Sequence, residues 1–182
     1  MKIMTEQNLI NAFGGESQAS MRYRLFAVIA GKEKLPNVAR LFQAVAYAEY
    51  VHAGDHYKEL RHLNEGRVAN SMAAFGPGDS RKNLGHAIGG ETFEIEEMYP
   101  AYLEVARMQE EKGAERSFRW AYETEQMHKA LFEKAMAAVE GDRDVELGPV
   151  HVCDICGCTI EGNAPDYCPL CGAKKNHFVA FE

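Results

Sequence analysis

The sequence predicts an all-α bundle of four helices followed by a small cysteine-rich module, and three observations support this fold class. Four segments carry apolar residues at the spacing of amphipathic helices. Glutamate and histidine residues interrupt the apolar faces of these segments, where a packed core should have no charge. All five cysteines lie in the last thirty residues, after the helical segments have ended.

Length, composition and charge exclude several classes of protein. A chain of 182 residues suits one medium domain, or one domain with a small module, and 46% hydrophobic residues suffice for a packed core. The net charge of −7 and the lack of a Lys/Arg cluster argue against a nucleic-acid partner. The first residues lack the apolar run of a signal peptide, and no stretch approaches the ~20 apolar residues of a membrane span. We therefore expect a cytoplasmic protein without a membrane partner.

The first helix is predicted from about residue 6 to residue 30. Its inward stripe is Leu9, Phe13, Glu16, Ser20, Tyr23, Ala27 and Ala30. Glu16 interrupts this stripe, and an ionised carboxylate in a core is very costly unless positive charge meets it. The alternative is that Glu16 lies on the surface, near a helix break at Gly14 and Gly15.

The second helix is predicted over residues 36–63, beginning at a proline that suits a first helical turn. Glu49 and His52 form a Glu-x-x-His pair, which projects from one helix face and can share a metal ion. Such a pair alone is a weak signal, because it is also common on solvated faces. His56, one turn further on, is more typical of a core or supporting histidine than of a ligand.

Residues 64–79 have no sustained period and are predicted to form a long connection. The third helix follows over residues 80–112, and Glu91 and Glu94 occupy places on its apolar face. Pro100 lies inside this helix and cannot donate a backbone hydrogen bond, so a local kink is expected.

The fourth helix is predicted over residues 114–140, and its apolar stripe contains a second Glu-x-x-His pair. This pair is Glu125 and His128. Trp120 lies off the stripe and is interpreted as a packing residue at a helix boundary rather than a cofactor contact.

An internal duplication relates the two halves of the bundle. The motif Gly-Gly-Glu occurs at Glu16 and again 75 residues later at Glu91, and Glu-x-x-His occurs at Glu49 and again 76 residues later at Glu125. Each half would supply one glutamate and one Glu-x-x-His pair. Four helices with these residues provide the ligand set of di-iron or di-manganese carboxylate bundles.

The charge of this set leaves one carboxylate to explain. Five glutamates would carry −5 against the +4 of two divalent ions: Glu16, Glu49, Glu91, Glu94 and Glu125. Carboxylate and imidazole ligands suit iron or manganese, and ligand type alone leaves zinc open. Ala19 stands where the first half would match Glu94, so Glu94 is predicted to be an extra or movable ligand.

The C-terminal part divides into a polar linker at 141–150 and a cysteine module at 151–182. Two Cys-x-x-Cys pairs can hold one tetrahedral ion: Cys153, Cys156, Cys168 and Cys171. Spacing does not distinguish zinc from iron, and on the tail alone a structural zinc is slightly preferred. Cys158 is left as a spare thiol.

The whole chain resembles rubrerythrin, a ferritin-like di-iron bundle followed by a rubredoxin-like domain. The resemblance rests on GGESQASMRY in the first helix, GGETFEIEEMYP in the third, and CDICG and CPLCG in the tail. It implies a di-iron bundle at 1–140 and a rubredoxin-like domain at 151–182, and it changes the expected tail metal from zinc to a single Fe(Cys)₄ centre. Cys158 departs from the family, which often has an aromatic residue there.

The resemblance also assigns roles to individual residues. The di-iron ligands that it implies are Glu16, Glu49, His52, Glu91, Glu94, Glu125 and His128. Glu94 and His52 match a pair that exchange on one iron, with Glu94 bound in the oxidised state and His52 in the reduced state. Tyr23 and Tyr99 match tyrosines that hydrogen-bond ligand carboxylates, although they could equally be ordinary core tyrosines.

The implied activity is reduction of hydrogen peroxide to water. Electrons would pass from the rubredoxin-type iron to the di-iron site, replenished by an external donor such as rubredoxin or an NAD(P)H-dependent reductase. The family usually forms homodimers in which the tail of one subunit approaches the bundle of the other. Two alternatives are a ferroxidase or O₂-reducing di-iron protein, and a non-enzymatic metal-binding protein with a structural zinc tail.

Overall fold

The computed structural model describes residues 1–76 and 78–182 and has a four-helix bundle followed by a small β-sheet module, as predicted. The predicted connection over 64–79 has no helix or strand among its described residues, and position 77 lies outside them. The helices are α1 (Ile3–Lys32), α2 (Pro36–Glu59), α3 (Ser80–Phe93), α4 (Tyr99–Met108) and α5 (Lys112–Glu140). In the described part of the chain, no helix is long and apolar enough to cross a membrane.

Two apolar clusters fill the bundle, and the predicted ligands lie between them. One cluster surrounds the rings of Tyr23, Phe42 and Phe132, and the other surrounds Tyr99 and Phe118. Along α1 and α5, the interrupting glutamates fall between residues of the two clusters. The core is therefore divided by a polar layer across its middle.

The predicted third helix is formed by α3 and α4, which are joined by a π-helical segment over Glu94–Met98. Tyr99 donates its N–H to the carbonyl of Glu94, five residues earlier. Pro100 follows in the first turn of α4, so the backbone departs from a regular α-helix just before the proline, whereas the kink expected there stays a prediction. Such segments are rare and occur often at functional sites.

The largest differences from the predicted boundaries are at two helix ends, and the ends of α1 and the start of α5 differ by two or three residues. The second helix ends at Glu59 rather than at residue 63, and Leu60 is buried in the second apolar cluster. The third helical segment ends at Met108 rather than at residue 112, because Glu110 adopts a left-handed conformation (φ 58°) and ends the run of helical residues.

The C-terminal module is a three-stranded antiparallel sheet with the order β2-β1-β3. Its strands are β1 (Val150–Cys153), β2 (Thr159–Glu161) and β3 (Phe178–Phe181). Gly157 and Gly172 follow the second cysteine of each pair with φ of 76° and 77°, a conformation that favours glycine. Their N–H groups donate to the carbonyls of Cys153 and Cys168, at 2.9 Å in each case.

The segment between bundle and sheet is held against α2. The carboxylate of Asp144 accepts the N–H groups of Asn37 and Val38 at the start of α2, where the helix dipole favours negative charge. Val150 and Val152 of β1 pack on the same helix. The module therefore packs on the bundle of its own chain. The domain boundaries at 1–140, 141–150 and 151–182 stay a prediction.

Candidate metal centres

Four helices bring six of the predicted ligands together in the polar layer, and each is at most 1% exposed. Ligand atoms of the first group lie within 4.8 Å of one another: Glu16, Glu49, His52 and Glu125. A second group meets the same criterion: Glu49, Glu91, Glu125 and His128. Because Glu49 and Glu125 belong to both groups, their carboxylates could bridge two metal ions.

The ligand atoms of these groups are better placed to bind metal ions than to form hydrogen bonds with one another. His128 Nδ1 lies 2.7 Å from Glu125 Oε2, but the two atoms do not have hydrogen-bond geometry. Both carboxylate oxygens of Glu125 lack a hydrogen-bond partner among the described residues, as does one oxygen each of Glu16 and Glu91. Buried polar atoms without partners are costly, whereas two cations between them would satisfy these lone pairs.

The protonation of the site follows from this crowding. Burial raises the pKa of Glu16 and Glu91 well above the usual range, and the neighbouring carboxylates raise it further. Burial disfavours the charged form of His128, yet Glu49 and Glu125 raise its pKa to about 9. Protons therefore stand in for cations when no metal is bound, and metal binding releases them.

One hydrogen bond fixes the tautomer of His128. The hydroxyl of Thr159, in β2, donates to the carbonyl of Gly157 at 2.8 Å, so its oxygen is free to accept from His128 Nε2, 3.0 Å away. In its neutral form the imidazole therefore carries its proton on Nε2, which leaves Nδ1, the nitrogen that faces the carboxylates, to bind a metal ion. This is the tautomer that a metal ligand at Nδ1 requires.

Glu94 lies apart from both groups. It is half-buried in the π-helical segment and lines a cavity of about 410 Å³ together with Gly15, Arg22 and Tyr102. Burial and the charges of Glu125 and Glu49 raise the pKa of its carboxyl group. The structure thus brings His52, and not Glu94, into the first group, and leaves Glu94 in the wall of the adjacent cavity.

Tyr23 and Tyr99 both contact a predicted ligand. Tyr23 donates to Glu91 Oε1 at 2.7 Å, and Tyr99 donates to Glu16 Oε1. Both rings also pack in the apolar clusters, so the two interpretations offered by the sequence hold together.

His56 supports the site without belonging to either group. Its Nε2 lies 3.1 Å from the Tyr99 hydroxyl, and its Nδ1 lies 2.7 Å from Ser117 Oγ on α5. Burial, followed by the charge of His52, lowers the pKa of His56 to about 3. The sequence did not single out Ser117, because a lone serine beside the inward stripe of α5 has no distinctive spacing.

The four predicted cysteines of the tail also converge. Cys153 Sγ lies 3.7 Å from Cys171 Sγ, and Cys156 Sγ lies 3.6 Å from Cys168 Sγ. Sulfurs bound at about 2.3 Å to one tetrahedral ion would be about 3.8 Å apart, whereas disulfide sulfurs would be about 2.05 Å apart. Cys158 is buried but lies outside this group, with its Sγ 4.0 Å from Met127 Sδ.

The two candidate centres approach each other through the residues that follow Cys156. A Cβ atom placed on Gly157 would lie 2.2 Å from His52 Nε2, so only glycine fits there without a shift. Thr159 contacts the other histidine, His128. Both histidines of the bundle site therefore touch the segment that leaves the cysteine site.

Comparisons with known proteins agree with this architecture. The family model described as "Rubrerythrin" matches residues 7–136, and the model described as "Rubrerythrin, rubredoxin-like domain" matches residues 151–179. Rubrerythrin-2 of Clostridium acetobutylicum is 43% identical over 178 residues, which cover 98% of this chain and 97% of the relative. Nigerythrin of Nitratidesulfovibrio vulgaris is 30% identical over 97% of this chain and 86% of its own length.

Comparison with solved structures also finds a similar protein of this kind. The fully reduced, all-ferrous state of nigerythrin superposes with a TM-score of 0.85 at 30% sequence identity, covering 97% of this chain and 86% of that chain. The structure thus has candidate ligand sets for a carboxylate-bridged di-iron site and for a four-cysteine iron site.

Proposed function

Because this chain belongs to the rubrerythrin family, we propose that it is a non-haem di-iron peroxidase that reduces hydrogen peroxide to water in oxidative-stress defence. One observation carries this proposal. Both histidines of the buried carboxylate site contact the segment that leaves the four-cysteine site, so an electron-supplying centre adjoins a centre that can consume electrons.

We assign the ligands as follows: Glu16 and His52 to one iron, Glu91 and His128 to the other, and Glu49 and Glu125 to both. When bound, the two ferrous ions supply the two electrons that cleave the O–O bond of peroxide. With iron bound, Glu94 would be the residue that takes the place of His52 as a ligand in the oxidised state, because an added negative charge favours a ferric ion and a neutral imidazole suits a ferrous one.

The chain's own residues bind the substrate and manage its protons. The cavity beside Glu94 is the proposed peroxide site, because it is the cavity whose wall contains the movable carboxylate. The Glu94 carboxyl group lies in the wall of this cavity, where it would be placed to pass on one of the two protons that peroxide reduction consumes. Tyr23 and Tyr99 hold the carboxylates of Glu91 and Glu16 in place.

Electrons would enter at the tail. Cys171 is the most exposed of the four cysteines, so an external donor, rubredoxin or an NAD(P)H-dependent reductase, would approach on its side. A homodimer is the proposed assembly. Met21, Leu25 and Val28 form an apolar stripe on α1 and are 56–57% exposed, with Tyr50 of α2 also exposed. A stripe of this kind is typical of a surface that another chain covers.

The proposal is tested by peroxide consumption at steady state with an electron donor in excess, using protein loaded with iron. We expect activity from the native chain and none from Glu125→Ala, which removes a shared carboxylate but leaves the four-cysteine site intact. The Glu125→Ala variant should therefore keep the red colour of ferric Fe(Cys)₄. A colourless tail, or equal peroxide consumption by the variant, would contradict the proposal.

A further inference from the structure

A chain of hydrogen bonds leads from the Glu16 carboxylate to the other side of the bundle. Tyr99 donates to Glu16 Oε1, His56 Nε2 lies 3.1 Å from the Tyr99 hydroxyl, and His56 Nδ1 lies 2.7 Å from Ser117 Oγ. All four side chains are buried, with Ser117 the most exposed at 4%. The chain crosses the helices α1, α4, α2 and α5 in turn.

One arrangement of protons satisfies all three hydrogen bonds. Because the Tyr99 proton points to Glu16, the Tyr99 oxygen accepts from His56, which must carry its proton on Nε2. His56 Nδ1 is then an acceptor, and the Ser117 hydroxyl donates to it. Every donor in the chain thus points toward the proposed iron ligand.

The outer end of the chain reaches a pocket at the seam between the bundle and the tail. Ser117 lines this pocket of about 210 Å³, whose wall also includes Asp55 and, from the tail, Ile155. One carboxylate oxygen of Asp55 pairs with the Lys58 ammonium at 2.8 Å, while the other is buried without a partner among the described residues. The charged side chains in the wall of this pocket provide sites for water next to Ser117.

The internal duplication shows that the fold does not need these polar groups. Tyr23 and Glu91 repeat the Tyr99–Glu16 contact in the other half of the bundle. The place of His56 is taken there, 76 residues further on, by Phe132, whose ring packs edge-on against Tyr23 with centroids 5.3 Å apart. The counterpart of Ser117, 76 residues earlier, is Leu41, which is fully buried.

This asymmetry needs a reason, because an apolar core is the less costly solution. Burying an imidazole and a hydroxyl requires that both be hydrogen-bonded, and the other half of the bundle avoids this requirement with Phe132 and Leu41. The polar chain is confined to the side of the polar layer where Tyr99 and the second apolar cluster lie. Tyr23, on the opposite side, packs against the rings of Phe26, Phe42 and Phe132.

We propose that Ser117, His56 and Tyr99 form a proton relay that carries protons from the seam pocket to Glu16 during peroxide reduction. The inference rests on the proposed function, in which each peroxide takes two electrons and two protons to give two waters. Ser117 and His56 act through Tyr99 and Glu16, so they are positioning residues and do not touch the substrate.

Each transfer conserves charge along the relay. The Ser117 O–H proton moves to His56 Nδ1 while Ser117 Oγ takes a proton from a pocket water, and that water regains a proton from bulk solvent. The His56 Nε2–H proton moves to the Tyr99 oxygen, and the Tyr99 O–H proton moves to Glu16 Oε1, which passes it to the product oxygen. His56 remains neutral and changes tautomer, and reorientation of the ring and the hydroxyls restores the starting state.

The decisive variant copies the other half of the bundle. We expect His56→Phe to fold and bind iron, because Phe132 occupies the equivalent place, but to lose the relay. Oxidation of the reduced, iron-loaded protein by peroxide in stopped flow should slow by about 100-fold, the lower end of the range for a lost proton-transfer group. The ratio of rates in H₂O and D₂O should rise, because proton transfer becomes rate-limiting.

Ser117 supplies an independent pair of variants. Ser117→Ala should show the same rise in the solvent isotope effect, and Ser117→Thr, which keeps the hydroxyl, should restore the native value. Nitrogen-15 NMR of the zinc-loaded, diamagnetic protein gives a readout that does not depend on activity. His56 should carry its proton on Nε2 in the native chain, and Ser117→Ala should weaken that preference.

The outcomes separate the relay from the proposed function. Native rates and native isotope effects in both His56→Phe and Ser117→Ala would overturn the relay while leaving the peroxidase proposal intact. A native protein that does not consume peroxide would overturn both. If His56→Phe fails to fold, the solvent isotope effects of Ser117→Ala and Ser117→Thr still test the relay. Equal isotope effects in those two variants would contradict it.

Discussion

His128 in the bundle donates a 3.0 Å hydrogen bond to the hydroxyl of Thr159 in the C-terminal sheet. This single contact joins the two candidate metal centres and fixes which ring nitrogen of His128 faces the carboxylates. The tail is therefore part of the environment of the bundle site, in addition to being its proposed source of electrons.

Thr159→Val is expected to weaken the link between the two centres and the orientation of His128. Valine has a similar shape to threonine but cannot accept the hydrogen bond from His128. Loss of such an outer hydrogen bond typically lowers metal affinity by about 10- to 100-fold. The measurement is the rate of iron loss to a chelator, with Thr159→Ser as the control that keeps the hydroxyl. Equal rates of iron loss for the valine and serine variants would show that the hydrogen bond has no such role.

Gly157→Ala is expected to disturb the junction of the two centres. The added Cβ would meet His52 Nε2 at 2.2 Å, and the residue has a φ of 76°. Gly172→Ala is the matched control, because its φ is 77° and nothing lies within 4 Å of its added Cβ.

Both alanines should lower the free energy of unfolding by about 1 kcal/mol through backbone strain, and Gly157→Ala should cost more. Only Gly157→Ala should also slow electron transfer from the four-cysteine iron to the bundle. Thermal unfolding and stopped-flow spectroscopy measure the two effects. Slowed transfer in Gly172→Ala as well would mean that the contact with His52 is not the cause.

The stability of the metal-free protein is expected to fall as the pH rises. The pKa of His128 is raised to about 9 in the fold, so its contribution is complete below its ordinary pKa of about 6.5 and is lost as the pH rises through about 9. The raised pKa values of Glu16 and Glu91 act in the same direction.

The lowered pKa values of Glu125 and of His56, the latter about 3, have the opposite effect mainly below about pH 6.5. The pKa of Cys153, lowered to about 5, also opposes the fall, but the bundle groups with raised pKa values outnumber it, since His52 and Glu94 belong to them as well.

Each proton lost in this way changes the free energy of unfolding by about 1.4 kcal/mol per pH unit. Bound cations replace the protons, so metal-loaded protein should show a much smaller change. The measurement is the melting temperature of chelated and loaded protein between pH 6 and pH 9. A chelated protein that is more stable at pH 9 than at pH 6 would have the wrong sign for this account.

Cys158→Ala is expected to leave the tail iron in place, because Cys158 lies outside the group of four converging sulfurs. Its buried Sγ contacts Met127, so the variant should lose about 1 kcal/mol of stability from the small void. The absorption spectrum of the tail tests this expectation, with Cys156→Ala as the control that should lose the iron. Loss of the spectrum in Cys158→Ala would make Cys158 a ligand.

The bundle and six buried site residues could be predicted from the sequence because charged residues interrupt the apolar helix faces repeatedly and in matching places. Glu16 or Glu91 alone could be a surface residue, but a matching pair at a constant offset indicates one face of a duplicated hairpin. The cysteine module was equally clear, because two Cys-x-x-Cys pairs followed by glycine constrain both the ligands and the turns.

What the sequence did not predict depends on tertiary packing. A periodic pattern shows neither that the backbone forms a π-helix over Glu94–Met98 nor that Glu94 lies in the wall of the adjacent cavity. The contacts of Gly157 and Thr159 with the bundle arise from how the sheet docks on α2, and no local motif encodes that docking. Ser117 was missed because a lone serine on a helix has no distinctive spacing.

The central claim is that peroxide is the oxidant to which this molecule is adapted. Fully reduced, iron-loaded protein should be mixed anaerobically in stopped flow with H₂O₂ and, separately, with O₂. We predict rapid oxidation of the di-iron and four-cysteine centres by H₂O₂ and much slower oxidation by O₂. Oxidation by O₂ at a comparable or greater rate would contradict the claim and would indicate an oxidase or ferroxidase instead.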